Sequence, residues 1–164
     1  MKNNRGLFNI GTVLAMNRSN DDEYGRQLLA LNDTIDQYGL VLTVEQTKDL
    51  LDTRRRALNE NHRVEIGVGA VIPLSKKFAQ SSYLDAGNFA DGMNVILEMF
   101  YYYKTETRDT IPDDDLIDML YDWFEYKYHG DLELMQNDYF EKAGKTSVEE
   151  NTEDYDELLD EQDS

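Results

Sequence analysis

The chain has 164 residues, the length of one domain, and 34 Asp and Glu against 16 Lys and Arg give it a formal net charge of -18. That excess repels phosphate backbones and anionic lipid surfaces, so neither nucleic acid nor a membrane is expected as a direct partner. Cysteine is absent, which excludes disulfides, thiolate zinc sites and cysteine nucleophiles.

The first sixteen residues carry two early bases and then mixed types, with no apolar run longer than Val13 to Met16. That is too short for the core of a secretory leader, and no later stretch nears the roughly 20 apolar residues of a bilayer span. A soluble, cytoplasmic protein is expected.

Tyr24, Leu28, Leu31, Ile35 and Tyr38 recur at steps of four and three, the stripe of one amphipathic helix, and Gly39 follows where a left-handed C-cap belongs. Thr43 and Gln46 then form a capping box, in which each side chain satisfies a free amide of the first turn. The helix they open places Val44, Thr47, Leu51 and Leu58 on one face. From Val64 to Ile72 apolar residues alternate as in a strand, but Gly67 and Gly69 stand between them and weaken one. We expect a short extended or turn segment near 63–69 and a helix from about Ala70 to Gln80, with Pro73 in its first turn.

Phe89, Met93, Ile96, Leu97 and Phe100 mark the next helix, which the break at Thr110-Ile111-Pro112 closes. Asp113, Asp114 and Asp115 then sit at a helix start, where negative charge meets the positive end of the dipole. Leu116, Leu120 and Phe124 continue that helix to its end at His129-Gly130. Leu132, Met135, Tyr139 and Phe140 indicate one more short helix. From Gly144 to Ser164 there are nine acids and one base, leaving little to bury except an island of Tyr155, Leu158 and Leu159. The expected architecture is therefore all-α, about six helices in a single domain over residues 1–143, with a disordered acidic tail over 144–164.

Laid out in order, YGLVLT (Tyr38 to Thr43), RRRAL (Arg54 to Leu58), RVEIG (Arg63 to Gly67), SSYL (Ser81 to Leu84), FYYYK (Phe100 to Lys104), DDDLI (Asp113 to Ile117) and GDLEL (Gly130 to Leu134) are the blocks that carry a resemblance. The chain resembles, from about Asp33 to Phe140, an uncharacterised bacterial family of small soluble proteins known only as a domain of unknown function. The resemblance implies a compact, mostly helical domain and no activity, cofactor or site. It favours a proline where this chain has Ser82, and against it the acidic tail reads as an addition.

No constellation of catalytic residues stands out. His62 and His129 are far apart in sequence and lack metal-ligand spacing. The Asp113–Asp115 triplet lacks a calcium-loop frame and reads as a charged helix start. Gly67-x-Gly69 lacks the third glycine and the lysine of a nucleotide loop. No cofactor or metal site is assigned.

The polar residues worth following are Arg63, Glu65 and Tyr83. Glu65 could form a buried ion pair, or an acid–base couple, with the Arg54–Arg56 cluster or with Tyr83. Eleven tyrosines, six phenylalanines and Trp123 also exceed what one core face can take. Tyr101, Tyr102, Trp123 and Tyr126, with Tyr155, Leu158 and Leu159 of the tail, make up a candidate contact surface for a protein partner or a second copy. The functional expectation is a non-catalytic protein-interaction module. The alternatives are an acidic decoy occupying a basic site on a nucleic-acid-binding protein, and an enzyme dependent on a small molecule or divalent cation.

Overall fold

A computed structural model of the chain describes residues 21–139. Among the described residues every regular element is helical and no strand occurs. Tyr155, Leu158 and Leu159, with the whole acidic stretch, lie outside them. The chain divides into two compact units between Tyr121 and Asp122.

In the first unit, helix α1 covers residues 21–30 and, past Leu31, Asn32–Ile35. Leu28, Leu31 and Ile35 of its stripe are buried. Tyr38 is not. The backbone tightens into a 3₁₀ turn over Asp36–Tyr38, which changes the angular step per residue and rotates Tyr38 to 45% exposure. Gly39 ends the turn at φ 75°, the left-handed cap its position requires. A second tie fixes the way out of α1. The Asn32 amide nitrogen donates to the Leu42 carbonyl (2.9 Å), and the Leu42 N–H donates back to Asn32 Oδ1 (2.7 Å).

Helix α2 spans Val44–Glu60. Its capping box is closed: Gln46 N–H donates to Thr43 Oγ1 (3.1 Å) and Thr43 N–H to Gln46 Oε1 (2.9 Å). Thr47, Leu50, Leu51, Ala57 and Leu58 are buried. Val44 departs from the expected face and is 59% exposed, because it lines an open groove between α1 and α2.

Helix α3 is Val71–Phe78, slightly shorter than expected, with Pro73 in its first turn and Val71, Leu74 and Phe78 fully buried. An Asx turn at Asp85, whose Oδ1 accepts from Gly87 and Asn88, leads into α4, Phe89–Glu106. The α4 stripe is buried as read: Phe89, Met93, Ile96, Leu97 and Phe100 are each at most 2% exposed. Helices α2 and α4 form the most extensive packing pair. At its margin Thr53 donates to Asn94 Oδ1 (2.5 Å) and Arg56 pairs with Glu98 (2.8 Å). Helix α5, Asp113–Asp122, carries the three aspartates in its first turn and buries Leu116, Ile117 and Leu120. Asp113 also pairs with Lys104 (2.8 Å).

The described part of the second unit is 122–139. Trp123–Lys127 forms a wide π-type turn, in which the Tyr128 N–H reaches back to the Trp123 carbonyl (2.8 Å). His129 and Gly130 then take positive φ, ending the helical run at the expected place. Helix α6, 132–139, follows. Phe124, Tyr128 and Met135 are buried, and the Tyr128 hydroxyl donates to Asp138 (2.9 Å). Burial first, and then this carboxylate, pushes the Tyr128 phenol up to about 12.

Candidate functional site

The polar centre of the first unit is built around the connection from α2 to α3. Helix α2 ends at Asn61, and His62 at φ 54° turns the chain out of it. Residues 63–65 belong to no regular element, and a bend and turn follow over 66–70. Glu65 points inward. Its Oε1 accepts from Arg54 Nε (2.9 Å) and from the Tyr101 hydroxyl (2.6 Å). Arg54 also donates through Nη2 to the carbonyls of Glu65 (3.3 Å) and Gly67 (2.5 Å). The Tyr24 ring of α1 lies by its guanidinium, with the centroid 5.8 Å from Cζ. Two helices thus supply the buried ends of a lock, and the loop supplies the acid and two carbonyls.

Gly69 completes it. A Cβ at this position would stand 1.5 Å from Glu65 Oε1. A flexible carboxylate could move aside, but this one is held by Arg54 and Tyr101. The backbone there is also left-handed, φ 56°, so a side chain at Gly69 is opposed by both space and strain.

With Glu65 turned in, its neighbours turn out. Val64 is 97% exposed and Ile66 96%. Burying either side chain elsewhere would have gained about 1.5–3 kcal/mol. The alternating apolar run therefore does not face the core until Val68, Ala70 and Val71, all of which are buried.

Arg63 takes a separate partner. It donates to both carboxylate oxygens of Asp109, one of these contacts at 3.2 Å, and to Thr105 Oγ1 (3.4 Å). Asp109 lies in the turn after α4, where it and Arg108 both have positive φ. The Arg63 guanidinium holds the Asp109 carboxyl below its usual range.

Of the residues singled out from sequence, Glu65 meets one arginine of the Arg54–Arg56 cluster. Arg63 and Glu65 go to different partners. Tyr83 lies in the turn between α3 and α4 and is 41% exposed, its N–H donating to Ser81 Oγ (3.2 Å). Tyr101, expected on a contact surface, is fully buried, because its hydroxyl is the third member of the lock. Tyr102 and Trp123 are half-buried and Tyr126 is 70% exposed. Sequence reasoning missed Tyr101 and Gly69 as lock components; the signal was a glycine two residues past another beside a lone acid, a pattern that marks close backbone approach.

Burial, followed by the hydrogen bond to Glu65 and its charge, raises the Tyr101 phenol far above its ordinary value. A phenol moved further from neutrality is poorly suited to proton transfer near pH 7. The arrangement is a structural clamp that fixes a loop. Among the described residues no group of three or more His, Cys, Asp or Glu is placed to hold a metal ion.

A family model described as a family of unknown function (DUF6323) matches residues 27–154. The chain belongs to this family. No curated protein and no solved structure matches it. The family span encloses the whole clamp, from Arg54 to Tyr101 and Asp109, and residues 1–26 lie ahead of it. It begins before Asp33 and extends past Phe140 to position 154, so part of the acidic stretch expected to be an addition belongs to the family. No helix among the described residues is long and apolar enough to cross a membrane.

Proposed function

We propose that this member of the family is a non-catalytic protein-interaction module whose contact element is the 63–67 loop. The observation that carries the reading is the near-complete exposure of Val64 and Ile66 on a backbone pinned from beneath by Arg54. An apolar pair on a loose loop would have to be ordered on binding. One held by three hydrogen bonds to the main chain and its carboxylate is already ordered, and association costs less entropy. The net charge of -18 directs the pair towards a protein whose apolar cleft is rimmed by basic residues, rather than to phosphate or an anionic bilayer. Tyr102 in the first unit, and Trp123 and Tyr126 in the second, belong to the same proposal as separate aromatic contacts, each on its own unit.

The test is the full-length Val64→Ser, Ile66→Ser double variant. Both side chains are solvated, so its melting temperature should match that of the parent. The parent should recover a partner from cells of its source or associate with itself, and the double variant should lose that association at least tenfold. A parent that sediments as a monomer and recovers nothing, or a partner held equally well by the double variant, would end this reading.

A further inference from the structure

Helices α2 and α4 end at one edge of the first unit, where Arg63 just past α2 bonds to Asp109 just past α4. Both helices close on a glutamate, Glu60 and Glu106. A carboxylate there faces the negative end of the helix dipole, where a cation is the favoured charge. Both glutamates are exposed, and neither side chain has a hydrogen-bond or ion-pair partner among the described residues.

Beyond α4 the chain turns through Arg108 at φ 51° and Asp109 at φ 57°, two successive left-handed residues without a glycine. That conformation opposes a side chain at each. Asp109 is tied to Arg63, but the Arg108 side chain is exposed and also lacks a partner among the described residues. Beside this turn stand the exposed Val64 and Ile66, on the loop that Arg63 anchors to it. Misplaced helix charges, a strained turn and an exposed apolar pair each cost stability, and nothing inside the chain offsets them. Such departures gather where a surface is completed from outside.

The charge of this edge says by what. Residues 54–67 and 104–109 hold six Lys and Arg against four Asp and Glu, reversing the acidic excess of a chain whose net charge is -18. Of the bases, Arg54, Arg55, Arg56, Arg63 and Lys104 are paired within the chain. What is left is one cation, Arg108, and two anions, Glu60 and Glu106, around an apolar pair. An edge with both signs unpaired is complementary to itself.

We propose that the partner of the loop is a second copy of this chain, joined edge to edge about a two-fold axis. Arg108 of each copy meets Glu60 and Glu106 of the other, and Val64 and Ile66 are enclosed between them. The inference rests on the loop reading and names its partner. In a two-fold contact the same patch serves both copies, so each ion pair is made twice. Elsewhere two copies repel through their acids, and this edge lacks that excess.

Charge exchange tests the contact in the purified full-length chain. The parent should sediment as a monomer–dimer equilibrium that weakens in high salt. Arg108→Glu in one variant, and Glu60→Arg with Glu106→Arg in another, should each weaken the dimer at least tenfold, because like charges then face each other. Mixed in equal amounts, the two variants should recover the parent's association, since each supplies the sign the other lacks; a folding defect is not repaired by mixing. Arg108→Gly provides a second readout. Glycine relieves the left-handed turn, so the melting temperature of the monomer should rise by a few degrees while the dimer weakens. A parent that stays monomeric up to millimolar concentration, variants that dimerise as the parent does, a mixture that recovers nothing, or an Arg108→Gly with a lowered melting temperature would each overturn the inference. A monomeric parent leaves the loop reading to be judged on a different protein by the Val64→Ser, Ile66→Ser variant. A dimer that passes the charge exchange yet is unchanged by that variant would end the loop reading while supporting the two-fold contact.

Discussion

Two arginine–carboxylate pairs hold the same loop, and they differ in burial. In the inner pair the side chains of Arg54 and Glu65 are 9% and 14% exposed; in the outer pair those of Arg63 and Asp109 are 20% and 54% exposed. The inner guanidinium also serves two main-chain carbonyls, and its carboxylate also receives a phenol. Desolvated charges are costly when one partner is lost, whereas an exposed pair is screened by water and salt. The inner pair therefore sets the loop's conformation, and the outer pair trims its edge.

The sharpest way to break that contrast is Arg54→Ala. It leaves Glu65 buried without its cation and two carbonyls without a donor, and should cost about 3–5 kcal/mol in denaturant unfolding. A loss below about 1 kcal/mol would show that the inner pair is no stronger than a surface one.

Tyr101→Phe comes next, at about 1.5–3 kcal/mol for one hydrogen bond to a charged acceptor. It has a signature in pH. The folded Tyr101 pKa lies above the ordinary 10.0, so the stability it contributes is fully present below pH 10 and is lost as pH rises from there. Each phenol kept protonated only in the folded state steepens that alkaline loss by about 1.4 kcal/mol per pH unit. The phenylalanine variant should show a slope shallower by up to one such proton, measured as unfolding free energy from pH 10 upward. An unchanged slope would mean that the phenol is not held as described.

Arg63→Ala should have the smallest effect, a shift in melting temperature below that of Tyr101→Phe that fades in high salt. Because Asp109 is held below its ordinary 3.8, its contribution is present above that value and disappears as pH falls through the lowered one. Melting curves of parent and variant should converge in acid. An Arg63→Ala penalty equal to that of Arg54→Ala would erase the distinction between the pairs.

The helices were legible because their signals are local. Thr43 and Gln46 cap α2, Gly39 ends the turn after α1, and the α4 stripe from Phe89 to Phe100 is buried. The loop was harder for a definite reason. A period of two says that Val64 and Ile66 share a side opposite Glu65, but not which side is inward. The choice is made by Arg54 and Tyr101, which lie 11 positions before and 36 positions after Glu65. Tyr38 and Val44 show the same limit on a smaller scale. A tightened turn rotates one away from its stripe and an open trough uncovers the other.

The Asn32 clamp has a consequence for how the protein ages. Its amide gives one hydrogen to the Leu42 carbonyl while its oxygen takes one from the Leu42 N–H, so both halves of the group are in use. Hydrolytic deamidation at this side chain would replace the giving half with a second oxygen. Oxygen would then face oxygen across the strap that joins α1 to α2, and a chemical change of a single dalton would loosen the connection from inside.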